Sequence, residues 1–135
     1  MSTLVPYIFF YGRCAEALEF YKGVFGGSYE AMRVSESPMA SEMPPEAANS
    51  IMHASFTAGG VAFMASDGGS VKPVDTEAGN VSMALAFDDA ATGERAFAAL
   101  AAGGTVQRAI ENAFWGGRFG MLTDKFGTEW MCTLP

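Results

Sequence analysis

The chain has 135 residues, a formal charge of −7 and 50% hydrophobic residues, which is the composition of one folded domain rather than of a disordered chain. An isoelectric point near 4.5 argues against binding to phosphate backbones, because that affinity comes from lysine and arginine. No apolar run approaches the roughly 18 residues that cross a bilayer, and the first residues lack the basic segment of an export signal. We therefore expect a cytoplasmic protein that binds neither nucleic acid nor membrane.

The two cysteines, Cys14 and Cys132, lie far apart and match no CxxC spacing. This argues against a zinc ribbon and against a thioredoxin-type redox site. We expect two small buried thiols, because free cysteine is among the most buried residue types. Cys14 is also expected to be mildly acidic, since it lies near a predicted helix start.

The first half of the chain is expected to form one helix and four strands. A short apolar run predicts the first strand, and apolar residues at helical spacing from Cys14 to Phe25 predict a helix that Gly26 and Gly27 end. Gly59 and Gly60 suit a two-residue hairpin turn between the last two strands. The predicted strands are Leu4–Phe10, Tyr29–Val34, Ser50–Thr57 and Val61–Ser66.

Between the second and third strands, Ser35–Asn49 reads SESPMASEMPPEAAN. This content of proline, serine, glutamate and methionine is typical of a mobile loop. Two interpretations stay open: a flap over a pocket, or plain surface disorder.

The second half repeats the same order of elements. Asp88 or Asp89 can cap an alanine-rich helix that runs through Ala102 and points Phe97 and Leu100 inward. Gly103-Gly104 ends this helix, and Asp124–Gly127 supplies a four-residue turn in the last hairpin. The predicted strands are Val81–Phe87, Thr105–Arg108, Arg118–Thr123 and Thr128–Leu134.

The repeat of β-α-β-β-β units is the main organisational signal. It predicts one α+β domain over residues 1–135, built from two tandem βαβββ modules. Module 1 spans about 1–67, a polar linker about 68–80, and module 2 about 81–135.

Three stretches, YIFFYGRCAEALEFYKGVFGG, IMHASFTAGGVAFMASD and FWGGRFGMLTDKFGTEWMCTL, resemble the vicinal oxygen chelate superfamily, and most closely its PhnB-like branch. That superfamily groups glyoxalase I, bleomycin-resistance proteins and extradiol dioxygenases. The resemblance implies two modules whose strands curl into a partly open, mixed β-sheet barrel around a cavity. It also implies one helix per module on the outer face and assembly as a homodimer.

Metal-using members of the superfamily supply four His, Glu or Gln ligands. The resemblance places Pro6, Ser82, His53 and Met131 at these four positions. Of these only the imidazole of His53, the single histidine, is a ligand for first-row divalent metals. We therefore expect no metal centre and no other cofactor.

The alternation of side chains along each strand predicts which residues face the cavity, because side chains two residues apart share a face. If His53 points inward, Ser55 does too, and the glycine turn pairs Ser55 with Met64. In the last hairpin, if Met131 points inward, Glu129 points inward as well. The predicted ligand-binding residues are Ile8, Phe10, Ser55, Met64, Ser66, Ser82, Trp115, Leu122 and Met131, with Trp115 as a rim residue.

The candidate catalytic residues are His53, Arg118 and Glu129. His53 is either a structural histidine bonded to a neighbouring hydroxyl, a ligand contact, or a general base whose developing charge Arg118 would stabilise. Arg118 and Glu129 are also candidates to neutralise each other across the hairpin, since an unpaired buried charge is costly.

The leading functional hypothesis is a small-molecule-binding protein of the PhnB-like type, with metal-free proton abstraction or isomerisation left open. The alternatives are a metal-dependent lyase, isomerase or dioxygenase, and an antibiotic-sequestering resistance protein. Some members of the branch carry a methyltransferase name. We do not expect that activity, because the chain has no glycine-rich strand-turn-helix loop followed by an acidic residue to hold a nucleoside cofactor.

Overall fold

A computed structural model describes residues 2–68 and 81–135 of the chain. These residues fall into two compact units, Met1–Pro73 and Val74–Pro135. The predicted linker of about 68–80 lies, from residue 69 onward, outside the described residues. None of the helices in the described part has the length and apolar character that crossing a membrane requires.

The first unit has the predicted β-α-β-β-β order. Its sheet has the strand order β1-β4-β3-β2, in which β1 runs parallel to β4 and the other neighbours are antiparallel. The elements are β1 (Tyr7–Phe9), α1 (Cys14–Phe25), β2 (Ser28–Arg33), β3 (Ile51–Ala58) and β4 (Val61–Ser66).

The core of the first unit lies between α1 and one face of this sheet. Leu18 and Tyr21, spaced three residues apart, are fully buried on the inner side of α1. The ring of Tyr21 meets Phe63 edge-on at 5.5 Å, and Phe63 stacks on Phe56 at 4.9 Å. Burying each such side chain contributes about 1.5–3 kcal/mol. The other face of the sheet carries the more exposed side chains, among them His53.

The second unit repeats the topology with the strand order β5-β8-β7-β6. Asp89 caps its helix by accepting a hydrogen bond from the Thr92 backbone at 2.8 Å. Hydrogen bonds from Thr92 also hold the pKa of Asp89 below its ordinary value. Phe97 and Leu100 are buried, as predicted. The elements are β5 (Met83–Ala86), α2 (Ala90–Ala101), β6 (Thr105–Asn112), β7 (Arg118–Thr123) and β8 (Glu129–Leu134).

The hairpin between β3 and β4 has the predicted register. Ala58 pairs with Val61 around the two glycines, and Ser55 pairs with Met64.

The register predicted for the hairpin between β7 and β8 is wrong by one residue, because Thr123 pairs with Glu129. The carboxylate of Asp124 causes the difference. It accepts hydrogen bonds from the backbone of Phe126 at 2.9 Å and of Thr128 at 3.0 Å, which draws Thr128 into the turn. The turn is therefore one residue longer than the predicted one.

Strand β6 extends four residues beyond its predicted end at Arg108, to Asn112. Its pairing with β7 is interrupted by two irregularities, one between Val106 and Arg108 and one between Arg108 and Glu111. Such bulges disturb the ladder without ending it.

The segment between β2 and β3 forms three short 3₁₀ turns, at Val34–Glu36, Ala40–Glu42 and Pro45–Ala47. Backbone hydrogen bonds close its base: Val34 donates to Ser50 at 2.9 Å, and Ser35 donates to Ala48 at 3.0 Å. The Arg33 side chain also donates to the carbonyl of Asn49. The segment is thus a loop whose two ends are tied together.

The second glycine of each Gly-Gly pair is required for a shared steric reason. A Cβ atom at Gly27 would lie 2.2 Å from the carbonyl oxygen of Thr57, and one at Gly104 would lie 2.2 Å from that of Thr123. In each unit the chain leaving the helix therefore crosses a strand backbone with no room for a side chain.

Replacing Gly104 by alanine is expected to lower the free energy of unfolding by about 1–3 kcal/mol, because the added methyl group must displace the backbone at Thr123. A Cβ atom added at Gly23, within α1, would meet no neighbouring atom within 4 Å, so this position serves as the control. Gly23→Ala should raise stability by roughly 0.5–1 kcal/mol through helix propensity. Urea denaturation measures both, and a Gly104→Ala variant as stable as the parent would contradict this packing.

Candidate functional site

The carboxylate of Asp67, directly after β4, joins three parts of the first unit. One oxygen accepts hydrogen bonds from the backbone of Gly12 at 3.1 Å and of Cys14 at 2.8 Å, and the other accepts from Ile51 at 2.7 Å. A negative charge at the start of α1 is also favoured by the helix dipole. Asp67 thereby holds the start of α1 and the start of β3 against the end of β4.

His53 lies on the sheet face opposite α1, beside Tyr7. The Tyr7 hydroxyl is 3.2 Å from Nδ1 of His53, and the two ring centroids are 5.7 Å apart. Tyr7 pairs with Met64 on β4, and Met64 pairs with Ser55 on β3, so these side chains share one face. The pair is exposed, which leaves the second ring nitrogen of His53 open to a ligand.

A cavity of about 460 Å³ is lined by Tyr7 of this pair, whereas His53 follows the lining residues Ile51 and Met52 in β3 and is not itself one of them. One side of the cavity is formed by β1, the start of β3 and the end of β4. The other side is formed by the loop between β2 and β3. The size of the cavity is within the range of small-molecule pockets, and its lining is mostly apolar. The lining residues are Tyr7, Phe9, Val34, Met43, Pro44, Ala47, Ser50, Ile51, Met52, Ser66, Asp67 and Gly68.

Of the residues predicted for the wall in the first unit, Ser66 lines this cavity, while Ser55 and Met64 lie on the open face with His53. The face predicted for Ile8 and Phe10 is wrong. Tyr7 is in register with Met64, so Ile8 is in register with buried Ala65 and faces α1. Phe10 is 1% exposed and packs on Tyr21 at 6.0 Å, because the core offers its ring more burial than the open face does.

The predicted pairing of Arg118 with Glu129 is wrong. Arg118 binds Glu94 of α2 at 2.7 Å, and Glu129 accepts a hydrogen bond from Ser82 at 3.1 Å. The longer β7–β8 turn is the reason, since it turns Arg118 toward the helix side and leaves Glu129 on the open face. The same shift buries Leu122 to 1% exposure on the helix side.

Met131 and the two tryptophans lie in different environments of the second unit. Met131 lies on the open face of the second unit, paired with Met121. Trp115 is 58% exposed at the end of the β6–β7 hairpin, and Trp130 is buried with its indole N–H on Asp124 at 2.8 Å.

Four of the cavity residues were not predicted from the sequence: Tyr7, Phe9 and the loop residues Met43 and Pro44. The alternation of the first strand carries a signal for the first two, but it does not determine which of the two faces points toward the cavity. The loop residues carry the weaker signal of apolar side chains inside a polar segment, which is compatible with a flap that covers a pocket.

The four positions of the superfamily's metal pattern do not fit a metal ion here. Proline and methionine offer no imidazole or carboxylate, the Ser82 hydroxyl is bonded to Glu129, and Nδ1 of His53 faces Tyr7. Among residues 2–68 and 81–135, no three His, Cys, Asp or Glu side chains come together to hold a metal. Asp67 does not add a ligand, because backbone N–H groups occupy both its oxygens.

Both cysteines are buried, as predicted, but the expected acidity of Cys14 is wrong. Burial raises the pKa of Cys14 to about 12, and the negative charge of Asp67 adds to the effect. Burial alone raises the pKa of Cys132 to about 11. Neither thiol is suited to act as a nucleophile at neutral pH.

Residues 2–133 match the family model described as 3-demethylubiquinone-9 3-methyltransferase. Protein YjdN of Escherichia coli (strain K12) is 31% identical, over 95% of this chain and 92% of its own. The crystal structure of protein PA1353 from Pseudomonas aeruginosa is 39% identical with a TM-score of 0.84, and the match covers 99% of this chain and 98% of that one.

The PhnB protein of Bacillus cereus shares the fold with a TM-score of 0.73 at 24% identity, over 99% of this chain and 100% of its own. A member of the glyoxalase/bleomycin resistance protein/dioxygenase superfamily from Sphaerobacter thermophilus DSM 20745 shares the fold with a TM-score of 0.57 at 16% identity, over 100% of this chain and 99% of its own. The likeness to these structures confirms the predicted fold.

The two buried thiols predict a loss of stability at alkaline pH. Their folded-state pKa values exceed the ordinary value of 9.0, so their contribution is complete below pH 9.0 and is lost as the pH rises toward 11 for Cys132 and 12 for Cys14. Between pH 8 and pH 10 the free energy of unfolding should fall by about 1 kcal/mol for each thiol.

Urea denaturation at the two pH values measures this loss, with the variant that carries Cys14→Ala and Cys132→Ala as the control. That variant should lose less stability than the parent between the two pH values. An equal loss in both proteins would show that the thiols are not responsible.

Proposed function

The chain belongs to the PhnB-like family described as 3-demethylubiquinone-9 3-methyltransferase, and from this premise we propose that it is a cytoplasmic small-molecule-binding protein. The ligand has an apolar body and an oxygen acceptor, and it binds without the superfamily's metal centre. The observation that carries the proposal is the cavity of about 460 Å³ whose lining includes Tyr7, the hydrogen-bond partner of His53.

The cavity supports a ligand with an apolar body. Phe9, Met43, Pro44 and Met52 provide apolar surface from the sheet and from the loop. Ring contacts extend this surface, since Phe9 lies 5.2 Å from Tyr7. Methionine side chains adapt to irregular shapes, which suits a pocket that accepts several related molecules.

The Tyr7–His53 contact supports an oxygen acceptor on the ligand. We assign the Tyr7 hydroxyl as the donor to Nδ1 of His53, because a phenol is a good donor and an imidazole nitrogen a good acceptor. Neutral His53 then carries its proton on Nε2. The exposed Nε2–H is a donor for a carbonyl, carboxylate or phosphonate oxygen.

This arrangement favours binding over proton abstraction by His53. In the tautomer assigned here, the lone pair of neutral His53 is on Nδ1, where the Tyr7 hydroxyl occupies it. A general base needs a free lone pair within hydrogen-bond reach of the substrate proton. In any reaction at this site, His53 would instead stabilise charge that develops on the ligand oxygen.

We do not extend the methyltransferase activity of the family description to this chain. A nucleoside cofactor held at a strand-turn-helix needs free backbone N–H groups at the helix start. In the first unit Asp67 occupies the N–H groups of Gly12 and Cys14, and in the second unit Asp89 occupies that of Thr92. The carboxylates of Asp67 and Asp89 thus occupy backbone N–H groups at the starts of the two helices.

A thermal-shift screen of aliphatic and aromatic carboxylates, ketones and phosphonates tests the proposal. A compound that binds the folded protein at 100 times its dissociation constant should stabilise it by about 2.7 kcal/mol. His53→Ala should weaken binding of that compound by about tenfold or more, because it removes the donor. Thr57→Ala, on the same exposed side of β3 but beside the Gly59-Gly60 turn and away from the cavity at the start of the strand, should leave binding unchanged.

Elemental analysis after purification from medium supplemented with Ni, Zn, Fe and Mn tests the alternative of a metal-dependent lyase, isomerase or dioxygenase. Stoichiometric metal that is lost in the His53→Ala variant would contradict the metal-free site. Equal binding of the screened compound by the parent and by the His53→Ala variant would contradict the role given to the imidazole.

A further inference from the structure

A second cavity, of about 340 Å³, lies in the second unit below the end of the β6–β7 hairpin. It shares no lining residue with the cavity of about 460 Å³ in the first unit. Three aromatic rings, a methionine, an ion pair and an amide surround it. The lining residues are Arg108, Glu111, Asn112, Ala113, Phe114, Trp115, Phe119 and Met121.

The hairpin end that forms one wall is held in a defined conformation. Gly116 donates to Ala113 at 3.1 Å, and Ala113 donates to Gly117 at 2.9 Å. Gly117 has a φ of +70°, and a Cβ there would lie 2.6 Å from the carbonyl oxygen of Leu134. These constraints present Phe114 and Trp115 on the turn, with exposed fractions of 97% and 58%. A prearranged wall lowers the entropy lost on binding.

The three rings form an angular aromatic surface. Phe114 and Trp115 meet edge-on at 4.8 Å, and Trp115 and Phe119 meet at 5.4 Å with their planes 71° apart. The exposed faces of such rings favour stacking or edge contact with a flat aromatic ligand. The cavity volume is at the lower end of the range for small-molecule sites, which fits one or two fused rings.

The ion pair next to the rings is loose. Nη1 of Arg108 lies 3.5 Å from the Glu111 carboxylate, and both side chains are at least 60% exposed. An exposed pair of this kind adds little stability, so a ligand carboxylate can replace Glu111 on Arg108 at small cost. A guanidinium binds a carboxylate through two parallel hydrogen bonds, which favours a planar acid over a neutral ring.

We propose that the β6–β7 hairpin end is a second ligand site that binds flat aromatic carboxylates, with the ring on Trp115 and Phe119 and the carboxylate on Arg108. This inference goes beyond the function proposed for the first unit and does not depend on it. The net charge of −7 opposes anions at long range, so the selectivity comes from Arg108 and not from the overall field.

The test is a titration of the ¹⁵N-labelled protein with 1-naphthoate and, separately, with the uncharged 1-naphthamide, at millimolar concentrations. The two indole N–H signals report the outcome. The Trp115 signal should move saturably with 1-naphthoate, and 1-naphthamide should bind there about tenfold more weakly. The Trp130 signal should stay in place, because that N–H is buried on Asp124. The ring signals of His53 report separately any binding in the first unit.

Two variants of the ion pair give opposite predictions. Arg108→Gln should weaken 1-naphthoate binding at Trp115 by about tenfold and leave 1-naphthamide binding unchanged. Glu111→Gln should strengthen 1-naphthoate binding, since it removes the competing carboxylate. The absence of a saturable Trp115 shift, equal affinities for the two probes, or weaker 1-naphthoate binding in Glu111→Gln would each overturn the proposal.

Discussion

Three hydrogen bonds to the Asp67 carboxylate hold the candidate site together. They join the turn before α1, the first residue of α1 and the first residue of β3 to the end of β4. Tyr7 and His53 come from two strands on either side of β4, and their contact requires both strands to keep their positions relative to it. A charged acceptor of several backbone N–H groups is strong enough to serve as this anchor, since each such bond contributes about 1.5–3 kcal/mol.

The sequence was sufficient to predict the order of all ten helices and strands in the described residues, because hydrophobic spacing and glycine pairs mark them directly. It also predicted the β3–β4 register, which a two-residue glycine turn determines. It did not predict which residues face the candidate site on β1 and β7. Those faces depend on the parallel pairing of Tyr7 with Met64, which joins strands far apart in sequence, and on the hydrogen bond from Thr128 to Asp124, which lengthens a turn whose residue composition also suits four residues.

The two units have kept a common backbone and have diverged in their polar groups. Gly27 and Gly104 each lie against a strand carbonyl oxygen that leaves no room for a side chain. On the open faces, however, the first unit pairs Tyr7 with His53, whereas the second pairs Ser82 with Glu129. A shared fold therefore does not carry a shared chemistry. The metal pattern of the superfamily is one example, since its positions in this chain hold only one side chain suited to ligation.

The protonation of the single imidazole decides between the interpretations of His53 most directly. A long-range ¹H–¹⁵N correlation spectrum, recorded about two pH units above the ordinary histidine pKa of roughly 6.5, shows which ring nitrogen of the neutral form carries the proton. We expect a proton on Nε2, an unprotonated Nδ1 that accepts from Tyr7, and a change in the Nδ1 signal in Tyr7→Phe. A proton on Nδ1, or a ring signal shifted by a bound metal, would contradict this expectation.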